Sequence, residues 1–214
     1  MVSVLMITSW IVGQSDSCAR TTTFGSVELC LPVVEGYQEC YTKPKIKELA
    51  DATEVPANTV LGFYLNDQTY EKRDSLGLIS FDDYFKIYGT KQLQDFKADK
   101  DVLSEMQAVL SSNFLSKDWD LVEKEFDQLG FEGTINVPTI IKEYNLNENS
   151  FTTVVLVKYE LEGIEPFTLA MTMNGFIYRE RLIWMAYYLN FEGSSSIAKL
   201  EEKSNSILLD IMNP

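Results

Sequence analysis

Between residues 134 and 191 the chain carries four successive apolar segments of period two, with connections too short for anything but hairpins. They are "TINVPTIIKEY" (134–144), "FTTVVLVKYEL" (151–161), "PFTLAMTMN" (166–174) and "FIYRERLIWMAYYLNF" (176–191), joined by "NLNENS", "EGIE" and Gly175. Parallel neighbours need a long crossover, so strands joined this way form an antiparallel meander. In the last segment Ile183, Met185, Tyr187, Leu189 and Phe191 point one way, and Leu182, Trp184, Ala186 and Tyr188 the other. Both faces are apolar. A strand apolar on both faces sits inside layers, with helices above and below the sheet.

The neighbouring segment is less even. Phe167, Leu169, Met171 and Met173 are apolar, while Thr168, Ala170 and Thr172 are small and mild. That second face reads as thinly covered or as a shallow groove. Thr168, Ala170 and Thr172, with Arg179 and Arg181 beyond them, are therefore the candidate ligand or partner surface.

The rest of the chain supplies the layers. "QSDSCARTTTFG" (14–25) is polar and reads as a linker, and "SVELCLPV" (26–33) as a strand ended by Pro32. "KPKIKELADAT" (43–53) suits a short helix with Pro44 in its first turn. "NTVLGFYLN" (58–66) and "DDYFKIYGT" (82–90) read as strands, the latter with Phe85 and Ile87 opposite Tyr84, Lys86 and Tyr88. Val102, Met106, Val109, Leu110 and Phe114 then recur at helical spacing, as do Trp119, Val122, Phe126 and Leu129 before Gly130. Two middle helices follow from this. From Ser194 to Asn213 a last helix places Ile197, Leu200, Ile207, Leu208 and Ile211 on one face, with the serines at 194–196 offering an N-cap. The expected fold is α+β: a three-layer α/β/α sandwich with a mainly antiparallel central sheet, two middle helices and a C-terminal helix.

That order of elements, ending in "NGFIYRERLIWMAYYLNFEGSSSIAKLEEKSNSILLDIMN", resembles PsbP-like domains, in which a late strand runs into a Ser-rich turn and a final helix. The pattern covers that ending, and the architecture covers residues 24–213. The resemblance implies an α/β/α sandwich in a family that includes extrinsic photosystem proteins, a Ran-binding import factor and bacterial envelope proteins. Such proteins bind other proteins or assist assemblies, and no shared catalytic set carries over.

Chemistry is narrowed most by an absence, since the chain has no histidine. Ser-His-Asp and Cys-His nucleophiles, HExxH zinc sites and facial-triad iron are excluded. Carboxylate, lysine or tyrosine chemistry is what remains. Asp82 and Asp83 precede a strand, Glu160, Glu162 and Glu165 surround a turn, and Glu180 lies between Arg179 and Arg181. A glycosidase-like site needs two carboxylates about 5–10 Å apart, one with a raised pKa. With 32 acidic residues, accidental pairs abound. The Arg179-Glu180-Arg181 triplet reads as a solvated strand edge more readily than as an anion site. "NLNENS" superficially resembles a calcium loop but lacks the glycine and the closing glutamate, so it reads as a turn. Neither GxGxxG nor GxxxxGK[ST] occurs, and no cysteine spacing suits zinc. No cofactor or metal is expected. The net charge of −14 disfavours nucleic acid, and Lys43, Lys45 and Lys47 read as a solvated face.

Residues 4–12, "VLMITSWIV", are too short to span a membrane, which takes about 20 residues. They resemble the apolar region of a signal peptide, although no Lys or Arg precedes them and no sharp cleavage site follows. A buried first strand is the other reading. Cys18 lies in a poor lipobox, so lipidation is not favoured. If the chain is exported, Cys30 and Cys40 are the candidates for a disulfide, contributing about 2–3 kcal/mol; otherwise they are two buried thiols. Residues 1–23 are expected to be a signal-like segment and linker, and 24–214 a single domain. The expected role is that of a non-catalytic accessory or protein-binding domain, exported to the periplasm or cell envelope, with no integral membrane segment in the mature chain. A small-ligand module over the Thr168–Thr172 face, a carboxylate-dependent hydrolase and a cytoplasmic location are the alternatives.

Overall fold

A computed structural model describes residues 18–73, 82–111 and 133–213. Strands β1 (Cys18–Phe24) and β2 (Val27–Pro32) form a separate two-stranded ribbon. The main sheet runs β3 (Tyr37–Glu39), β4 (Asn58–Asn66), β5 (Tyr84–Thr90), β10 (Arg181–Asn190), β9 (Phe167–Tyr178), β8 (Ser150–Leu161). Beyond β8, both β6 (Gly133–Ile135) and β7 (Thr139–Asn147) pair with it. Every pairing is antiparallel. The described helices are α1 (Pro44–Ala52), α2 (Asp67–Lys72), α3 (Lys100–Ser111) and α4 (Ser194–Met212). This is the α+β sandwich with an antiparallel central sheet.

The two faces of β10 show why. Ile183, Met185 and Tyr187 join Leu200, Ile207, Leu208 and Ile211 of α4 and Phe24, Leu29 and Leu31 of the ribbon in one core. Leu182, Trp184 and Ala186 join Leu103 and Leu110 of α3 in a second core on the other face. Farther along that second face, Ile46 and Ala50 of α1 close over Val60, Phe63 and Leu65 of β4. Strand β10 pairs with β5 on one side and β9 on the other, so it is interior to the sheet.

Several boundaries differ from the expectation, each for a physical reason. The β9–β10 turn is at Arg179–Glu180, with φ of 46° and 60°, and not at Gly175. Two successive positive φ values are the signature of a two-residue type I′ hairpin, whose twist matches the strands. Of the Arg179-Glu180-Arg181 triplet, the first two residues are thus the turn and Arg181 opens β10. Gly175 lies inside β9 because a Cβ there would come within 2.6 Å of the Phe151 ring. The segment 134–144 divides at Pro138 into β6 and β7, since proline cannot donate to the ladder. The "NLNENS" turn shrinks to Glu148–Asn149 because β7 pairs as far as Asn147 with Ser150.

The polar stretch 18–24 is a strand and not a linker. Its pairing with β2 and the burial of Phe24 bring the folded domain forward to Cys18. The N-cap of α4 is Gly193, and the serines form its first turn, where Ser196 Oγ accepts from the Glu192 amide at 3.0 Å. The second middle helix, read over 119–129, lies outside the described residues, as does the apolar segment 4–12.

Candidate functional site

The expected Thr168–Thr172 groove is filled. Ala170 and Thr172 are fully buried, and Thr168 is half-buried. Thr172 Oγ1 and Ser204 Oγ of α4 lie 2.7 Å apart. Asn174 donates to Thr172 Oγ1, Ser204 Oγ and the Met185 carbonyl, each at 3.1 Å, and accepts from Thr152 Oγ1 at 2.7 Å. Small side chains on β9 let α4 approach closely, and a serine on the helix meets the polar atoms they leave. Mild residues here mark a tight helix seat. Arg179 and Arg181 lie at the opposite end of β9 from Thr168, so the structure does not bring the five residues together. Arg179 is exposed. Arg181 is buried and donates to Ser26 Oγ and the Glu180 carbonyl, each at 3.0 Å.

The cysteines also pair otherwise than expected. Cys18 and Cys30 form the disulfide, and Cys40 is a buried free thiol. The register of the ribbon explains it: Cys18 lies opposite Pro32, beside the β2 position that carries Cys30. Cys40 is part of the core beneath α1, on the far side of the sheet. Burial, chiefly, pushes its thiol up to about 12. A Cys18 held in a disulfide has no thiol to lipidate.

Carboxylate, lysine and tyrosine chemistry does converge, at Asp83. This residue opens β5 with φ of 57°, a left-handed conformation uncommon outside glycine. Asn66 holds that backbone by donating to the carbonyls of Asp82 and Asp83 at 2.7 and 3.1 Å. The turn aims the carboxylate inward, where it accepts from Tyr37 Oη, from Tyr187 Oη at 2.5 Å and from Lys203 Nζ at 2.9 Å. Lys199, one helical turn earlier on α4, lies 3.4 Å away. The two tyrosine hydroxyls are 3.0 Å apart, and Lys203 also donates to Tyr37 at 2.7 Å. Burial alone would raise the Asp83 carboxyl. Hydrogen bonds from Tyr187, Tyr37 and Lys203 outweigh that and hold it below its ordinary value. Burial, and then the Asp83 carboxylate, push both tyrosines far above theirs. Asp82 points elsewhere and accepts from the Asn190 amide at 2.8 Å.

A general acid needs a raised pKa, and Asp83 has a lowered one. Asp82 and Asp83 were legible in the sequence as a carboxylate pair. Tyr37, Tyr187, Lys199 and Lys203 were not, because they come from three other elements and share no spacing signal.

A second ionic centre lies on the other face. Lys86 and Glu54 form a buried pair at 2.5 Å, with Tyr88 and Tyr188 flanking the ammonium at 5.4 and 6.0 Å. Glu54 also accepts from Asn58 at 2.8 Å. Burial works against the Lys86 charge, and Glu54 and Tyr88 outweigh it.

A groove opens beside Tyr37, on the side of β3. It measures about 400 Å³ and is lined by Ala19, Pro32, Val33, Val34, Glu35, Gly36, Tyr37, Gln38, Glu39 and Tyr64. Beside it Arg20 clamps the ribbon to the sheet, donating to Glu39 at 2.9 and 3.1 Å and to the Leu61 carbonyl at 2.6 Å. Among the described residues no group of three acidic or cysteine side chains is placed to hold a metal ion, and no helix is long and apolar enough to cross a membrane.

No protein-family model matches this chain, and no curated protein does. A solved structure similar to it is the Ran-binding protein Mog1p of Saccharomyces cerevisiae, 12% identical over 90% of this chain and 91% of that one, with a TM-score of 0.37.

Proposed function

We propose that this chain is an exported accessory domain that acts by binding another protein and performs no chemistry. The observation that carries the reading is the saturation of the Asp83 centre. The described carboxylate, lysine and tyrosine groups that converge are occupied by one another, and they fasten α4 and β3 to the sheet. What the chain offers outward is charge, −14 in all. Such a surface steers a basic or neutral partner and speeds encounter at low salt. The Cys18–Cys30 disulfide supports an oxidising compartment, and hence export.

The test is affinity capture from the native source at low and at raised salt, with retained proteins quantified by mass spectrometry. A discrete partner whose retention falls as salt rises is the expected result. Turnover of a glycoside, ester or peptide that disappears in Asp83→Asn, a variant confirmed to be folded, would replace binding with carboxylate catalysis.

A further inference from the structure

The groove beside Tyr37–Glu39 follows β3, the end of the main sheet among the described residues. Among the described residues β3 pairs on one side only, with β4, in the register Tyr37 to Asn66, Gln38 to Leu65 and Glu39 to Tyr64. The Cys40 amide donates to the Phe63 carbonyl at 2.8 Å, and the Asp67 amide to the Gly36 carbonyl at 2.9 Å. In an antiparallel ladder successive residues alternate between bonding toward one neighbour and toward the other. Gly36, Gln38 and Cys40 therefore bond inward, and Tyr37 and Glu39 turn their backbone groups outward. The Tyr37 amide is taken by the Val34 carbonyl at 3.1 Å. Among the described residues no strand pairs with the side of β3 toward which the Tyr37 carbonyl, the Glu39 amide and the Glu39 carbonyl turn.

The lining of the groove says what kind of strand it would be. Pro32, Val33, Val34 and Ala19 are apolar, and Val33 is 64% exposed, the highest value among the described exposed large hydrophobic residues. Two carboxylates, Glu35 and Glu39, belong to the lining, and no Lys or Arg does. Asp67, held by Gln38 at 2.8 Å, adds a third carboxylate just beyond. Glu39 is neutralised in part by Arg20, whereas Glu35 is exposed.

We propose that the β3 edge is a strand-addition site for an extended segment of a partner protein in which basic residues alternate with small apolar ones. This rests on the protein-binding reading above and names its mode. Main-chain bonds to Tyr37 and Glu39 set the register. Alternate side chains then fall on the Val33 wall and toward Glu35, as strand addition requires. The edge is three residues long, so the bonds are few and the groove supplies the remaining contact.

The probe is an end-blocked hexapeptide alternating lysine and valine, with a glutamate–valine peptide as control. Both are added to the full chain while backbone amide exchange is followed by NMR. The expected result is at least a tenfold slowing of exchange at the Glu39 amide with the lysine peptide and none with the glutamate one. Val33→Asp and Glu35→Lys should each weaken lysine-peptide binding about tenfold. Both positions are exposed, so neither change tests folding. Unchanged Glu39 exchange, absence of binding, or binding indifferent to both variants overturns the inference. Protection of Glu39 that appears only as the chain self-associates would make a second copy the occupant and overturn it too. So would protection already present in the free chain and lost on removal of residues 1–17. A natural partner retained equally by the wild type and by the Val33→Asp, Glu35→Lys double variant would leave the protein-binding reading standing and remove this edge from it.

Discussion

The two faces of the central sheet are fastened by different means. On the α4 face the links are polar and shared: Asp83 ties together β3, β10 and α4, and Asn174 ties β8, β9 and β10 to Ser204 of α4. Aromatic contacts occur on both faces, Tyr64 stacking on Phe85 at 4.2 Å on the α4 face; on the opposite face Tyr84 stacks on Tyr188 at 4.6 Å, Tyr159 stacks on Phe167 at 5.0 Å and Phe151 lies edge-on to Trp184 at 5.8 Å, with no such shared acceptor described. The buried ionic link described there is Lys86 to Glu54, in which Glu54 has Asn58 as a further donor and Lys86 as its one described cation. An acceptor shared by two cations can lose one and keep the other, whereas a buried ion pair that loses one member leaves the other without a counter-charge. The two faces should therefore fail differently under mutation.

The largest effects belong to the face opposite α4. Lys86→Ala strands Glu54 and should cost about 3–5 kcal/mol in urea unfolding, while the double change Lys86→Met, Glu54→Gln should cost much less. If the double variant is as unstable as the single one, the pair is not what fastens this face. Trp184→Ala belongs to the same range, about 3–5 kcal/mol, because it empties space against Phe151 and Tyr88.

Next is the ribbon, which covers the α4 face near β4. Replacing Cys18 and Cys30 by serine should cost about 3 kcal/mol for so short a loop, read as a drop in thermal midpoint that reducing agent reproduces in the wild type. Insensitivity of the wild type to reductant would sink the prediction. Tyr187→Phe should cost only about 1–2 kcal/mol, since Asp83 keeps Tyr37 and Lys203.

The smallest effect is the pH dependence of the Asp83 centre. Its pKa is lower folded than unfolded, so its stabilisation is fully present above the unfolded value of about 4 and is lost as pH falls through the lower folded one. The stability gap between wild type and Asp83→Asn should be constant from pH 7 to about 5 and shrink below about 4. A gap that widens in acid would reverse the assignment.

The internal place of β10 was legible because apolar residues on both of its faces can mean only cover on both. The helix seat on β9 was not. Thr168, Ala170 and Thr172 look the same from sequence whether a groove or a closely packed helix lies over them, and only Ser204, reaching Thr172 and Asn174, decides the matter. The Gly175 turn was misplaced because glycine serves a tight approach as well as it serves a turn. The approach of Phe151 comes from another strand and leaves no local trace.

By itself, then, the sequence determined the antiparallel meander, the two-sided burial of β10, the amphipathic α4 and the exclusion of histidine chemistry. These are properties of period, connection length and composition, which are local. Only the tertiary structure decided that Cys18 and not Cys40 pairs with Cys30, that Asp83 gathers Tyr37, Tyr187 and Lys203, and that among the described residues β3 pairs on one side only. Each of those depends on strand register and on which element packs over which. Contacts between residues far apart in the chain set these, and no single stretch of sequence encodes them.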